Sequence, residues 1–434
     1  MTMVLFLVGV GLLLVVLMAF QTLMILTYRR RVMRWDSRVD PSLTPRVGIV
    51  LSVRGFDPSL LDCLRGLATQ QYAGEFAVFV IVDHEQDPAY REVERWIGEA
   101  GSGIAACDFY LRVADKPSGT CSLKCDRVAR AIGGIPEKFD VVCLIDADAV
   151  PDSCWLSDLI GEFEQDQVAA VSAVRWFLPP DAGWGSMLRY AWNSAAIPQM
   201  VIYGIPWGGS LALRRDAIRE TDLVGVWSQS LFEDVLVHDW YRERGLKTRS
   251  AAGLFVVNRE ETSWGSAITW VHRQLLDARL YHSKWHLVLA HAMGSSLLGL
   301  LLLGGIVGAA VATNATWLLI SIALSLLFYL GNFCLLLILE HVAVRAVRQR
   351  LARCGLGEYS GLSARQYARL FQLVLPLQAV FFYAALKAAW TTRVSWRQAH
   401  YQVRGPRDIQ LTGYQPFVAA GSPDSDAAPA GSIN

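Results

Sequence analysis

Long apolar runs sit towards the two ends of this 434-residue chain, and a block of shorter alternating patterns lies between them. Val4 to Ile25 is almost wholly aliphatic and long enough to cross a bilayer. Leu287 to Val311 and Trp317 to Leu339 are two further runs, joined by a short uncharged turn. Leu370 to Ala389 is weaker, with Pro376 in its first half and Lys387 near its end; a crossing helix and a re-entrant hairpin both fit it. The intervening block, from about Arg46 to His286, alternates strand-like and helix-like patterns. Strands are expected at Val47–Val53, Phe76–Val82, Phe109–Val113 and from Val141 to Asp146, and helices at Asp57–Gln70, Asp87–Ile97 and Ser122–Ile132. This order predicts an α/β domain with a mostly parallel sheet covered by helices.

Composition sharpens this picture. Hydrophobic residues make up 53% of the chain and the mean hydropathy is +0.31, high for a soluble protein. A net charge of +1 gives no sign of nucleic-acid binding. No Lys or Arg precedes the first apolar run and no small-residue cleavage site follows it, so a retained signal anchor is expected. Arg29, Arg30, Arg31 and Arg34 follow that run, and Arg345, Arg348, Arg350 and Arg353 follow the third. The positive-inside rule then places the N-terminus outside and the central domain in the cytoplasm.

The expected organisation is an anchor over 1–28, a basic linker over 29–45, a cytoplasmic domain over 46–286 and a membrane region over 287–390 with spans 287–311, 317–339 and 370–389. A membrane-proximal segment over 391–412 and a disordered tail over 413–434, rich in Ala, Gly, Ser, Pro and Asp, complete it. Eight cysteines show neither zinc nor C-x-x-C spacing and are read as reduced.

Candidate chemistry begins with Asp146-Ala147-Asp148 at the end of the apolar run Val141–Ile145. Open α/β sheets bind ligands at the carboxyl ends of their strands. Two carboxylates there repel unless a cation joins them, and a hard divalent ion, Mg²⁺ or Mn²⁺, suits oxygen ligands and a diphosphate. Asp83 ends the second strand, and Glu233-Asp234 opens a later helix, where carboxylates are electrostatically favoured. Trp270-Val271-His272-Arg273-Gln274 lies just before the spans. The aromatic segment from Trp176 to Trp207 suits either a membrane interface with an acceptor pocket or an ordinary core. His282 and His286, four apart, lack an evident third ligand and read as interfacial residues.

This order of motifs resembles the membrane-bound family 2-like glycosyltransferases of the GT-A fold, whose pattern is D, DxD, D, then Q/R-x-x-R-W. The chain is more similar still to the ceramide glucosyltransferases. The similarity lies in Gly55-Phe56-Asp57-Pro58-Ser59-Leu60 (G-x-D-P-x-L), Asp83-His84-Glu85-Gln86-Asp87-Pro88-Ala89 (D-x-x-x-D-P-A) and Trp396-Arg397-Gln398-Ala399-His400-Tyr401 (W-R-x-x-x-Y). It runs from the first anchor to about Val403. Trp270 stands where Gln or Arg is usual, Gln274 replaces the Trp, and 149–232 contains no histidine.

The resemblance implies a GT-A domain and an inverting transfer of a hexose, glucose first, from a UDP-sugar to a lipid hydroxyl, ceramide first. It implies Asp234 as general base with Glu233 beside it, and Asp148 and Asp146 on the metal. Asp83, Asp146, Lys124 and Arg273 would hold the donor, and Trp270, Trp396, Arg397 and Tyr401 would lie on the acceptor side. The implied setting is multi-pass in a bacterial inner membrane, with no obligate protein partner. Diacylglycerol or polyprenyl phosphate as acceptor, a polysaccharide synthase, and an inactive lipid-binding protein are the alternatives.

Overall fold

The computed structural model describes residues 2–35, 43–55, 57–100, 107–164, 167–354, 359 and 361–417. In chain order its first half runs α1 (Thr2–Arg34), β1 (Val47–Val53), α2 (Leu60–Ala68), β2 (Phe76–Val82), α3 (Pro88–Ala100), β3 (Asp108–Val113), α4 (Leu123–Gly134), β4 (Val141–Ile145), α5 (Trp155–Gly161), β5 (Val168–Phe177) and α6 (Trp184–Tyr203). There follow β6 (Ser210–Arg214), α7 (Arg215–Glu220), α8 (Leu223–Trp227), α9 (Val235–Arg242), β7 (Lys247–Asn258), α10 (Trp264–Tyr281), α11 (Trp285–Val311), α12 (Ala315–Arg353), α13 (Ala364–Gln372), α14 (Val374–Trp390), β8 (Arg393–Trp396), β9 (Ala399–Gly405) and β10 (Asp408–Tyr414).

The main sheet has the order β3-β2-β1-β4-β6-β5-β7, with β1, β2, β3 and β4 parallel and β6 antiparallel to both neighbours. Helices cover both faces, which is why β2, β4 and β5 are buried along their whole length and read as continuous apolar runs. Ile49, Leu51 and Leu64 pack on one face with Trp155; Val50, Phe79 and Leu144 pack on the other with Val128 and Trp227. The strand order reverses between β1 and β4, and the crevice at such a switch point is where open α/β sheets bind ligands.

α1, α11 and α12 are each long and apolar enough to cross a membrane. The fourth apolar run is a bent pair: α13 and α14 meet at 55° across Leu373. At 39 residues α12 is about 58 Å long, more than a bilayer needs, and its basic end extends onto the sheet domain. There Arg350 bridges Asp152 (2.6 Å from Nη2) and the buried Asp158, and Arg353 also reaches Asp158. Trp35, just after α1, donates to Glu162 at 2.6 Å, and Arg31 donates to the Val201 carbonyl at 2.7 Å. Both basic segments therefore lie on the side of the sheet domain.

Two expectations change. Cys154 and Cys354 are paired in a disulfide, with Cα atoms 6.1 Å apart. They are 200 residues apart, and only the extension of α12 brings them together. The segment after Trp390, expected to be membrane-proximal, forms a three-stranded sheet, β10-β9-β8, folded back over the crevice. That sheet carries order through Tyr414 and on to Phe417, beyond the expected start of the tail at 413; residues 418–434 lie outside the described residues.

Removing the shared guanidinium of Arg350 strips two carboxylates at the junction of α12 and α5. Arg350→Met is expected to cost about 3 kcal/mol, the scale for breaking a buried ion pair, read as a lower melting temperature in detergent. An unchanged melting temperature would mean that the pairing contributes nothing to docking.

Candidate active site

β4 ends at Ile145, so Asp146-Ala147-Asp148 emerges at its carboxyl end beside the switch point. The turn is tight: the Ala149 N–H donates to the Asp146 carbonyl at 3.0 Å. Gly208-Gly209 runs antiparallel beside it, just ahead of β6. A Cβ at Gly209 would meet the Trp207 ring and sit 2.7 Å from Asp146 Oδ2, and one at Gly208 would meet Glu233 Oε1. Glycine is required here by close approach.

Ser122 caps α4 by accepting from the Cys125 N–H at 3.1 Å, which sets Lys124 in the first turn. Its ammonium lies 2.6 Å from both Asp146 Oδ1 and Glu233 Oε1. Burial opposes charge on this lysine, but Asp146, Glu233 and Asp234 outweigh it and hold the ammonium above its ordinary pKa. Burial likewise opposes charge on Asp146, and Lys124 overcomes it, holding the carboxyl below its usual range. Asp234 is the N-cap of α9, accepting from the N–H groups of Val235 and Gly208, each at 2.8 Å. Glu233 is pushed up to about 7, first by burial and then by the nearby charge of Asp234, with Lys124 opposing.

Asp148 differs from its neighbour. No side chain among the described residues bonds its carboxylate, and burial, then Asp146 and Glu260, push it up to about 7. A carboxylate with no hydrogen-bonding side chain among the described residues, opposed in charge by Arg175 and facing a cavity next to a second carboxylate, fits an oxygen ligand for a hard cation. Asp146 lies beside it but is already committed to Lys124.

The cavity is lined by as many Arg and Lys as Asp and Glu side chains. Arg175, in the buried strand β5, sits among the rings of Phe177, Trp207 and Trp270, with centroids at 4.8–5.3 Å, and donates to Gln274 Oε1 at 2.9 Å. Burial lowers its pKa to about 10, so it keeps its charge near neutral pH. Arg273, on α10, stacks on Trp396 at 4.6 Å. Asp277, one turn further along α10, is buried and held well above the carboxylate range, first by burial and then by the nearby charge of Asp234.

Asp83 does not line this cavity. It is buried at the edge, bound by the guanidinium groups of Arg54 and Arg127, the Tyr414 hydroxyl (3.1 Å) and the Phe417 N–H (3.3 Å). The Phe417 ring lies where a Cβ at Gly55 would stand, and Gly55 has φ +71°. Trp396, Arg397 and Tyr401, expected on the acceptor side, line the charged cavity next to this edge. The two-residue turn Arg397-Gln398 holds φ +45° and +62°, uncommon for such side chains. This aims the Arg397 carbonyl at Arg54 Nε (3.0 Å) and its guanidinium towards Asp57 (3.6 Å). The Tyr401 hydroxyl accepts from the Leu123 N–H at 3.2 Å.

Trp270 packs edge-on against Phe177 and Trp192 and also faces the cavity. In the aromatic segment Trp176, Tyr190, Trp192 and Trp207 are buried, so core packing dominates, while Trp192 and Trp207 also line a cavity. His282 stacks on His238 and His286 faces the Ser283 carbonyl; they do not form a metal pair.

A second cavity adjoins the first. It is apolar, lies among α1, α6, α11, α12 and α14, and shares Arg175, Trp207, Asp234, Gln274 and Asp277 with the charged one. Arg54, Arg127, Arg175, Arg189, Glu260 and Asp277 were not anticipated. Two had a signal: Arg127 is three residues from Lys124 and Asp277 four from Arg273, each on one helix face. Arg175, inside an otherwise apolar strand, was a third.

Carboxylates at the carboxyl ends of parallel strands, faced by guanidinium groups across a switch-point crevice, fit the GT-A glycosyltransferase arrangement that the motifs implied. The description glycosyl transferase family 21 matches residues 11–409, and the chain belongs to that family of sugar transferases. The mannosyltransferase PcManGT from Pyrobaculum calidifontis, solved with GDP-Man and Mn²⁺, is similar at 18% identity and a TM-score of 0.48, over 88% of this chain and 99% of that one. Glucosyl-3-phosphoglycerate synthase from Mycobacterium tuberculosis, solved with phosphoglyceric acid, is similar at 14% identity and 0.33, over 51% and 75%. GalNAc-T7, solved with UDP, GalNAc and Mn²⁺, is similar at 10% and 0.37, over 58% and 52%. No curated protein matches the chain significantly.

The raised pKa of Asp148 sets a pH dependence. Below about pH 7 a divalent ion must displace its proton, so apparent Mn²⁺ affinity is expected to fall by up to about tenfold per pH unit below 7 and to level off above it. Calorimetric titration in the presence of UDP at about pH 6 and about pH 8 measures this, with Asp148→Asn as the variant that no longer binds the ion. Equal affinity at both pH values would remove Asp148 from the ion's ligands.

Proposed function

We propose that this family 21 enzyme transfers a hexose, glucose first, from a UDP-sugar to the primary hydroxyl of a membrane lipid, ceramide first, with inversion. The observation that carries the proposal is the meeting of the two cavities at Asp234: charged groups suited to a nucleoside diphosphate stand on one side, and an apolar space among membrane-type helices opens on the other. The G-x-D-P-x-L, acidic and W-R-x-x-x-Y motifs support glucose and ceramide.

Asp234 acts as general base, taking the proton from the acceptor hydroxyl as its oxygen attacks the anomeric carbon. Two backbone N–H groups fix the carboxylate, and Asp277 lies beside it. Glu233, tied to Lys124, positions rather than abstracts. Arg273 and Lys124 offer cationic donors to the diphosphate. A divalent ion held by Asp148, with Asp146 beside it, would neutralise charge on the leaving diphosphate. The nucleoside would take the edge formed by Asp83, Arg54 and Arg127. The catalytic domain is cytoplasmic, since both basic helix ends lie on its side.

Asp234→Asn is expected to lower transfer by about 10²–10⁴ while UDP still binds, measured by lipid mass spectrometry and calorimetry on the same preparation. Glu233→Gln should lose less. Loss of UDP binding in both would move the base elsewhere, and a glycosylated polyprenyl phosphate as product would rule out a hydroxyl acceptor.

Orientation has its own check. Cysteines introduced as Arg30→Cys and Arg345→Cys should resist an impermeant thiol reagent in intact cells and react after permeabilisation. Labelling of either in intact cells would reverse the assigned orientation.

A further inference from the structure

The edge assigned above to the nucleoside is filled by the chain itself. β10 keeps its place in the small sheet as far as Tyr414, which pairs with Ala399 of β9. Gln415, Pro416 and Phe417 follow, with no strand partner among the described residues. They turn in towards Arg54, Gly55 and Asp83. Arg54 Nη2 donates to the Gln415 carbonyl at 2.7 Å, and the Phe417 N–H donates to Asp83 Oδ2 at 3.3 Å. The Phe417 ring fills the space in front of Gly55, with the Arg54 guanidinium 6.0 Å from its centroid. The Tyr414 hydroxyl donates to Asp83 Oδ1 at 3.1 Å.

These contacts have the chemistry of a bound nucleobase. A base such as uracil presents a flat ring, a carbonyl that accepts and, beside it, a ring N–H that donates. Here Phe417 supplies the flat ring and the N–H, Gln415 supplies the carbonyl, and a guanidinium and a carboxylate receive them. Segment and base cannot both be held. A carboxylate offers about four lone-pair sites. Asp83 already accepts from Arg54, Arg127, the Tyr414 hydroxyl and the Phe417 N–H, and its side chain is 1% exposed. The two guanidinium bonds are charge-assisted and the stronger pair, so Tyr414 and Phe417 are what a base would displace. Their hold is slight. Gln415 and Pro416 are exposed, and Phe417 joins no apolar core among the described residues. Few buried apolar contacts and an exposed backbone mark a segment that opens locally at low cost.

Resting on the reading that the nucleoside of the donor takes this edge, we propose that residues 414–417 form an autoinhibitory plug: Tyr414 and Phe417 stand in for the base, and the donor binds by displacing them. The small sheet stays anchored while its last residues swing, because the Leu411 N–H donates to the Gly119 carbonyl at 2.8 Å and the Tyr401 hydroxyl accepts from the Leu123 N–H. Apparent donor affinity is then lower than the intrinsic affinity by the fraction of molecules whose edge is open.

The test is UDP binding in the presence of Mn²⁺, followed by calorimetry on the full chain in detergent. Phe417→Ala removes the ring and Tyr414→Phe removes only the hydroxyl. Phe417→Ala should tighten UDP binding by about three- to tenfold and Tyr414→Phe by less, since each raises the open fraction. Hydrogen exchange gives a readout that needs no variant: the Phe417 amide should exchange faster with UDP bound than without it. Weaker or unchanged UDP affinity in Phe417→Ala, or slower exchange with UDP bound, would overturn the proposal; weaker affinity would make the segment a wall of the pocket. Asp83→Ala separates this from a failure of the nucleoside reading. UDP held by Asp83→Ala as tightly as by the wild type would put the nucleoside elsewhere. Loss of UDP in that variant, with no gain in Phe417→Ala, would reject the plug alone.

Discussion

One buried ammonium organises the site. Lys124 stands between Asp146, at the end of β4, and Glu233, just before α9, at 2.6 Å from each. Without it two carboxylates would face each other in a space screened from water, where repulsion is strongest. The close approach of Gly208 and Gly209 depends on this arrangement, because each glycine backs directly onto one of the paired acids or its neighbour. The contact also divides the labour of the acids. Asp146 is held ionised by Lys124, while Asp148, two residues on, receives no such partner and carries the raised pKa.

A second constraint comes from joining two solvents. The sheet domain is built for water and the helices for lipid, and the site lies where they meet. Arg350 and Arg353 pin the far end of α12 to Asp152 and Asp158, and Arg31 and Trp35 pin the end of α1. These contacts tie the membrane-type helices to the sheet domain, close to the start of α9 and to α10, whose side chains line both cavities. Asp234 and Asp277 are among them, so a base can face an apolar substrate on one side and a charged one on the other.

Much of the fold was legible along the chain. The bounds of β1 and β2 agree with the expected strands because continuous apolar runs flanked by polar residues signal buried parallel strands. The Asp-Ala-Asp turn and the acids opening α9 were legible for the same local reason. β5, β7 and the β8–β10 sheet were not read. β7 opens Lys247-Thr248-Arg249-Ser250 and becomes apolar only from Ala251, so neither period dominates. The final three strands are short and half polar, and their order comes from packing back over the crevice.

What the sequence determined by itself was the inventory: which elements form, which of them suit lipid, and which acids and cations stand at their ends. These follow from hydrogen-bond period and hydropathy, both encoded among near neighbours. Tertiary structure decided the pairings. Lys124 meets Asp146 across 22 residues, Arg350 meets Asp158 across 192, and Tyr414 meets Asp83 across 331. It brought Trp396, Arg397 and Tyr401 to the charged cavity, joined Cys154 to Cys354, and set Asp277 beside Asp234. The physical reason is that charge pairing, like exclusion of water, depends on distance in space, and a linear chain does not state that distance.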